Sequence, residues 1–252
     1  MLTFILYDGI LSISNESEVK QMAKYNLYLD GNNRVHVTGG NTKIGGIYNI
    51  SLLPSDEPLT LKNGTVLTNI KGTCGGCCDG CKYACYAVNS CVRHHNSVIP
   101  TWGDNTILAR EDMAEFFHQL DDIFSKNIIG VFRWHVGGEF FSENYMENVY
   151  KFCANHSDTK FYVYTKRFEW VEKLDSMKPS NLVVNVSIWH NNYNNPLNYP
   201  EFIYDDGSDK EVSALRHCPA VDKDGHETGV TCAQCRRCFT ATKGDRIAVY
   251  AH

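Results

Sequence analysis

Ten of the eleven cysteines in this chain fall into two groups. Cys74, Cys77, Cys78, Cys81, Cys85 and Cys91 lie within eighteen residues, interleaved with Gly72, Gly75, Gly76 and Gly80. Cys218 and the evenly spaced run Cys232, Cys235 and Cys238 make the second group. Thiolates so close in sequence suit a soft metal. Two-residue gaps are those of ferredoxin-type cluster loops, and they equally suit tetrahedral zinc. Iron-sulfur is the reading taken for both groups, with zinc as the alternative. Glycine lets the backbone wrap closely around an inorganic core and leaves its N–H groups unhindered. One cluster takes at most four of the six thiols in the first group. In the second, Cys218 and the tight run supply four thiolates, enough to close a site. Cys153 stands alone beside Phe152 on an apolar helical face, where a cysteine packs rather than ligates.

The surroundings of these groups narrow the function. Disulfides on this scale belong to small secreted chains, and the apolar run Leu2 to Leu11 is broken by Asp8 and Gly9, with no basic start and no cleavage site after it. That run reads as a strand. No stretch reaches the roughly 20 apolar residues that span a bilayer, so a cytoplasmic protein with no membrane partner is expected. A net charge of −5 carries no basic footprint, which disfavours nucleic acid as the main partner. With 252 residues, 43% hydrophobic, the chain can bury one sizeable core.

Elements that would position the cysteines are legible from periodicity. Residues 1–64 read as short strands and turns, an N-terminal β-rich segment. Thr65 to Ile70 reads as a strand running into the first cysteine loop, and a loop after a strand is where α/β proteins place chemistry. Met113, Phe116, Phe117, Leu120, Ile123 and Phe124 fall at helical spacing over about 110–126. A buried strand Ile128 to Trp134, a helix opening near Ser142, a strand Phe161 to Tyr164, a helix near 168–176 and a strand Leu182 to Ile188 follow. Such alternation makes βα units and a parallel sheet or barrel. Residues 190–211 read as a long loop. Strand alternation sets Arg133 and His135 on one face. His94 and His95 read as a solvated loop pair. Lys166 and Arg167 end a strand, where they meet either an anion at the functional edge or solvent.

The strand ending at Ile70, the cysteine loop, the segment Trp134-His135-Val136-Gly137-Gly138-Glu139 and the C-terminal cysteines together resemble the radical SAM superfamily. That resemblance implies a [4Fe-4S] cluster on three cysteines that binds S-adenosylmethionine. By it, Gly137, Gly138 and Glu139 contact the amino group of S-adenosylmethionine. Cys74, Cys78 and Cys81 match its usual spacing, with Gly80 where an aromatic residue normally stands. Alternatively Cys78, Cys81 and the segment Cys85-Tyr86-Ala87 match with altered spacing. A second resemblance spans most of residues 41–252. Asn41-Thr42-Lys43, Thr73-Cys74, Cys78, Cys85-Tyr86-Ala87, Phe132-Arg133-Trp134-His135, Tyr164-Thr165-Lys166, the run Cys232 to Cys238, Arg246 and Ala251-His252 are similar to an uncharacterised family found largely in bacteriophages and mobile elements. It implies Cys74, Cys78 and Cys85 as the first ligand set and brings no activity with it.

The expectation is an α/β protein built as a small or incomplete parallel βα barrel over residues 65–211. The N-terminal β-rich segment covers 1–64, and a C-terminal cysteine-rich segment, 212–252, packs on the core. Metal candidates are Cys74, Cys78, Cys81, Cys85, Cys218, Cys232, Cys235 and Cys238; cofactor candidates are Gly137, Gly138 and Glu139. The function expected is radical SAM-like iron-sulfur chemistry fed by a reductant or electron-donor protein. A SAM-independent iron-sulfur protein and a zinc-stabilised interaction protein are the rivals.

Overall fold

The computed structural model describes residues 3–7, 10–14, 24–29, 31, 33–40, 42–61, 63–76, 78–83, 85–189 and 193–250. Cys77, Asn41, Ala251, His252, part of the Leu2 to Leu11 run, and residues 190–192 of the expected loop lie outside the described residues. β1 (Thr3–Tyr7) and β2 (Ile10–Ser14) form an antiparallel hairpin, so most of that apolar run is indeed extended.

Six strands make one sheet, and every pairing in it is parallel: β3 (Tyr48–Asn49), β6 (Val131–Arg133), β7 (Lys160–Thr165), β8 (Leu182–Ile188), β9 (Glu201–Asp205) and β10 (Arg246–Tyr250). They lie side by side in chain order, without the reversal that puts helices on both faces of a doubly wound sheet. With right-handed crossovers, a sheet wound in one direction collects its helices on one face. Hydrophobic contacts agree. The main core joins Phe132, Phe161, Val163, Val184 and Val186 to side chains of α4 (Met113–Lys126), α5 (Glu143–Asn155) and α6 (Phe168–Lys173). The alternate residues of the same strands, Val131, Tyr162, Tyr164 and Val183, pack instead with Phe239, Cys232, Ala233 and Cys238. The second cysteine group thus covers the face of the sheet opposite the main core.

Local sequence explains most helix starts. Asp112 accepts from Glu115 N and opens α4, while Ser142 accepts from Tyr145 N and opens α5. α4 begins at Met113 because a preceding helix, α3 (His95–Glu111), occupies residue 110. His94 sits between α2 (Tyr86–Arg93) and α3, so the histidine pair is part of helical structure rather than a loop. β6 is shorter than expected: it starts at Val131, and Ile128 is fully exposed. The expected long loop contains β9, and β10 joins the sheet at its far edge.

The strand before the first cysteine group needs a correction. β5 (Val66–Lys71) pairs antiparallel with β4 (Pro58–Thr60) in a separate two-stranded sheet. A local turn, with Leu61 N donating to Thr65 O at 2.8 Å, folds β5 back on its neighbour. The parallel sheet begins instead at β3. Beyond β3 the chain stays beside the turn after β6: Ile50 N donates to Arg133 O, Val136 N to Ile50 O and Leu52 N to Gly137 O. Thr73 N then donates to Leu53 O and Cys74 N to Ser55 O. Residues 50–55 therefore carry the cysteine loop to the strand-end edge.

Candidate metal centres

Gly72 lets the first loop enter, because a Cβ there would stand 1.8 Å from Pro54 O. Cys74, Cys78, Cys81 and Cys85 are all half-buried along the loop and the short helix α1 (Asp79–Tyr83). Burial pushes the Cys81 thiol up. Lys166 works against that shift, while Cys85 and Cys78 reinforce it. Three of the four candidate thiols therefore sit within one another's electrostatic reach. Lys166 hydrogen-bonds Cys81; burial alone would lower the lysine's pKa, but Cys81, Glu139 and Cys74 together raise it. The next residue clamps the loop from the other side. Arg167 Nε donates to Phe140 O at 2.9 Å, and a Cβ on Gly76, at φ +80°, would lie 2.8 Å from its Nη1. Lys166 and Arg167 thus pack against the cysteine loop and the turn after β6 rather than standing in solvent. Cys91 is different: it is fully buried among Leu53, Leu59, Leu67 and Ile99, and burial, then Cys85, raises it to about 12. It packs.

Glu139 reaches the same edge. Its backbone N–H donates to Thr73 Oγ1 at 2.9 Å, so the turn after β6 and the cysteine loop do meet. Its carboxylate accepts three hydrogen bonds from the chain itself, from Phe140 N and Thr165 Oγ1 at 2.8 Å on Oε1 and from Lys166 N at 2.9 Å on Oε2. The two glycines are likewise occupied. A Cβ on Gly137 would lie 2.4 Å from the Trp102 ring, and one on Gly138, at φ +84°, 2.7 Å from Thr73 Oγ1 and 2.8 Å from Leu52 O. Close packing against the chain accounts for both. Gly80, where the expected resemblance calls for an aromatic residue, would place a Cβ 3.0 Å from the ring of Trp189. An indole from the end of β8 covers that point of the loop instead.

The second group is assembled from three segments. Cys218 N donates to Ala248 O on β10, and Cys232 N donates to Lys43 O. Cys232 and Cys235 bound the short helix α8, opened by a capping box in which Thr231 and Gln234 satisfy each other. Arg236, at φ +63°, turns the chain into α9 (Arg237–Thr240), which carries Cys238. Cys238 O accepts from Asn185 Nδ2 at 3.0 Å, fixing this segment on β8. Burial raises the Cys238 thiol to about 12, opposed by a hydrogen bond from Tyr164; Cys218 and Cys232 raise it further. Cys232 is also raised, by burial first, with Arg133 opposing and Cys218 and Cys235 reinforcing. All four thiols therefore form one electrostatic neighbourhood. Beneath Cys218, His217 Nε2 pairs with the buried Asp205 at 2.8 Å.

Arg133 acts on the second group and on the residue that follows Cys85. Its guanidinium sits 4.8 Å from the Tyr164 ring centroid and 6.0 Å from that of Tyr162. Tyr86, the residue after Cys85, is within its electrostatic reach, and so is Cys232. His135 does not share this face, contrary to strand alternation. Its φ of +53° breaks the pattern after β6 ends, and its ring packs on Phe140 and Tyr145 in the main core. Burial, then Arg133, pushes its pKa down to about 3.

The residues present fit a thiolate-bound centre on two observations. Cys78 and Cys85 act on Cys81 in the first group, Cys218, Cys232, Cys235 and Cys238 are linked in the same way in the second, and Arg133 Nε is buried without a hydrogen-bond partner. Among the described residues no three cysteine sulfurs lie within 4.8 Å of one another, whereas tetrahedral zinc holds its sulfurs about 3.8 Å apart. A compact triad does exist at Asp222, Asp224 and His226, on an exposed turn where Asp222 Oδ1 accepts from the other two backbone N–H groups. Nothing in the sequence marks the approach of Arg133 to Tyr86 and Cys232, because strand alternation pairs it with His135.

Among the described residues no helix is long and apolar enough to cross a membrane. No solved structure matches the chain. The Gene 88 protein of Mycobacterium phage D29 is 26% identical over 235 residues, covering 84% of this chain and 91% of the phage protein. A family model described as Gene product 88 matches residues 26–241, most of the chain, and the chain accordingly belongs to that phage family.

Proposed function

We propose that this protein is an iron-sulfur protein of radical SAM-like build, with two centres on one side of an incomplete βα barrel. Cys74, Cys78 and Cys81 or Cys85 would hold the first; Cys218, Cys232, Cys235 and Cys238 would hold the second. The observation that carries the reading is Arg133, a cation on the sheet face away from the main core whose charge acts on Cys232 and Cys238 of the second group and on Tyr86, the residue after Cys85. Strand order supports it: a sheet wound in one direction leaves one face free of crossover helices, and both groups reach that face or its strand-end edge.

A four-iron centre with bound S-adenosylmethionine supplies one-electron chemistry that generates a carbon radical. The chain's own part is binding and exclusion of water. Lys166 would neutralise thiolate charge at the first centre, Trp189 would cover it, and Arg167 would hold Gly75 and Gly76 in place. Glu139 Oε2 accepts one hydrogen bond and keeps capacity for another from a cationic amine.

A second reading, an iron-sulfur centre that works without S-adenosylmethionine, is favoured by the three internal hydrogen bonds of Glu139 and the filled space around Gly137 and Gly138. The experiment separates them. Anaerobically reconstituted, reduced protein should shift its electron paramagnetic resonance signal on adding S-adenosylmethionine and slowly release 5′-deoxyadenosine. An iron-replete protein that does neither is the SAM-independent kind, and a colourless zinc protein is neither.

A further inference from the structure

We infer that Arg133 is a positioning residue shared by the two centres, raising the reduction potential of the second and coupling it to the first. The inference rests on the iron-sulfur reading above. Place comes first: β6 ends at Arg133, and alternation turns its side chain away from Phe132 and the main core toward Tyr162 and Tyr164. On that face the groups acting on it are the phenols of Tyr86, Tyr164 and Tyr162, all with raised pKa values, and then the Cys232 thiol, the one among them that a bound metal would hold as an anion. Cys232 and Cys238 both feel its charge, and Tyr86 brings it to the border of the first group.

The second ground is what Arg133 lacks. Among the described residues no carboxylate stands within 4.0 Å of it, although other cations of the chain, such as Arg246 with Glu201, have one. Its Nε is buried and unpartnered. A guanidinium stays charged at any accessible pH, and a partly desolvated cation without a counter-ion is unfavourable. Two tyrosine faces offset part of that through cation–π attraction. A thiolate-bound centre supplies the missing negative charge.

The third ground is electrostatic direction. When a low-potential one-electron donor reduces a centre, the centre gains one negative charge and no bond at Arg133 forms or breaks. A fixed cation beside it stabilises the reduced form, and hydrogen bonds toward its sulfurs act the same way. Tyr164 provides such a bond to Cys238 and also stacks under Arg133, so the two residues act together.

The test is a dithionite redox titration of the reconstituted full-length chain, read by electron paramagnetic resonance, with iron and sulfide counted for each variant. Cys78→Ser isolates the second centre for assignment. Arg133→Gln should lower the ratio of reduced to oxidised second centre at fixed potential by about tenfold, a midpoint drop of about 59 mV for one electron, with a smaller drop at the first centre. Arg133→Lys keeps the charge and should hold that ratio within about threefold. If Arg133→Gln does not fold, Tyr164→Phe keeps the ring and removes the hydrogen bond, and should lower the second midpoint alone. Unchanged midpoints in Arg133→Gln, or in Tyr164→Phe where that variant stands in, overturn the role of Arg133 while leaving two centres intact. A wild type without iron and sulfide overturns the reading underneath and this inference with it.

Discussion

Replacing Glu139 with alanine should destabilise the metal-free protein substantially, whatever the carboxylate does for a ligand. The side chain is 8% exposed and accepts from Phe140 N, Thr165 Oγ1 and Lys166 N. Alanine leaves three donors without their acceptor. At about 1 kcal/mol or more for each, after partial rescue by water, the loss is at least about 3 kcal/mol. That is a large share of the roughly 5–15 kcal/mol that holds a typical domain. For a chain of this size about 2–4 °C accompanies each kcal/mol, so the melting temperature should fall by about 6–12 °C. Glu139→Gln retains one carbonyl oxygen but turns an amide N–H toward a donor, and should fall between. Circular dichroism melts of metal-free protein at neutral pH measure this. An alanine variant that melts like the wild type would show that the three bonds hold nothing, and would return the carboxylate to a purely ligand-binding role.

Gly138→Ala should lose about 2 kcal/mol or more, from a strained positive φ and a Cβ 2.7 Å from Thr73 Oγ1. Gly130→Ala, with open space around its Cβ, is the control; equal melting temperatures for the two would refute the packing role. His135 contributes a pH dependence whose sign is fixed by its lowered pKa. The unfolded chain takes up a proton near the ordinary value of 6.5 and the folded chain only near 3, so this stability is complete above 6.5 and lost as pH falls toward 3. The slope is about 1.4 kcal/mol per pH unit in that window. His135→Asn, which tolerates the positive φ, should flatten it, and identical slopes in urea titrations at pH 6 and pH 4 would contradict the assignment. Cys153→Ala should leave iron content unchanged and cost about 1 kcal/mol, since Cys153 Sγ accepts from Trp134 Nε1 at 3.3 Å in the main core. Iron loss in that variant would make Cys153 a ligand after all.

What was legible in the sequence was what periodicity controls. β7, β8 and α5 lie where alternation and capping place them, because each buries one face against the same core and Ser142 marks a helix start. Elements without a pattern of their own escaped. β3 is two residues long and defined by its neighbour β6, while β9 and β10 pair with each other across forty residues. β5 looked like a sheet strand by composition, yet the turn after Leu61 returned it to β4, a choice of partner that composition does not encode. At the site, spacing found the cysteines. It did not find Trp189 over Gly80, a contact between the end of β8 and the helix α1, or Arg133 over Tyr164, a contact between neighbouring strands, since both pairs are distant in sequence and meet only in the fold.

Iron and acid-labile sulfide per chain, determined on anaerobically purified protein, bear most directly on two thiolate-bound centres. Two four-iron centres predict a brown protein with about eight irons and eight sulfides per chain, falling by half in Cys235→Ser as the second centre is lost. A colourless protein with stoichiometric zinc and no sulfide would contradict it.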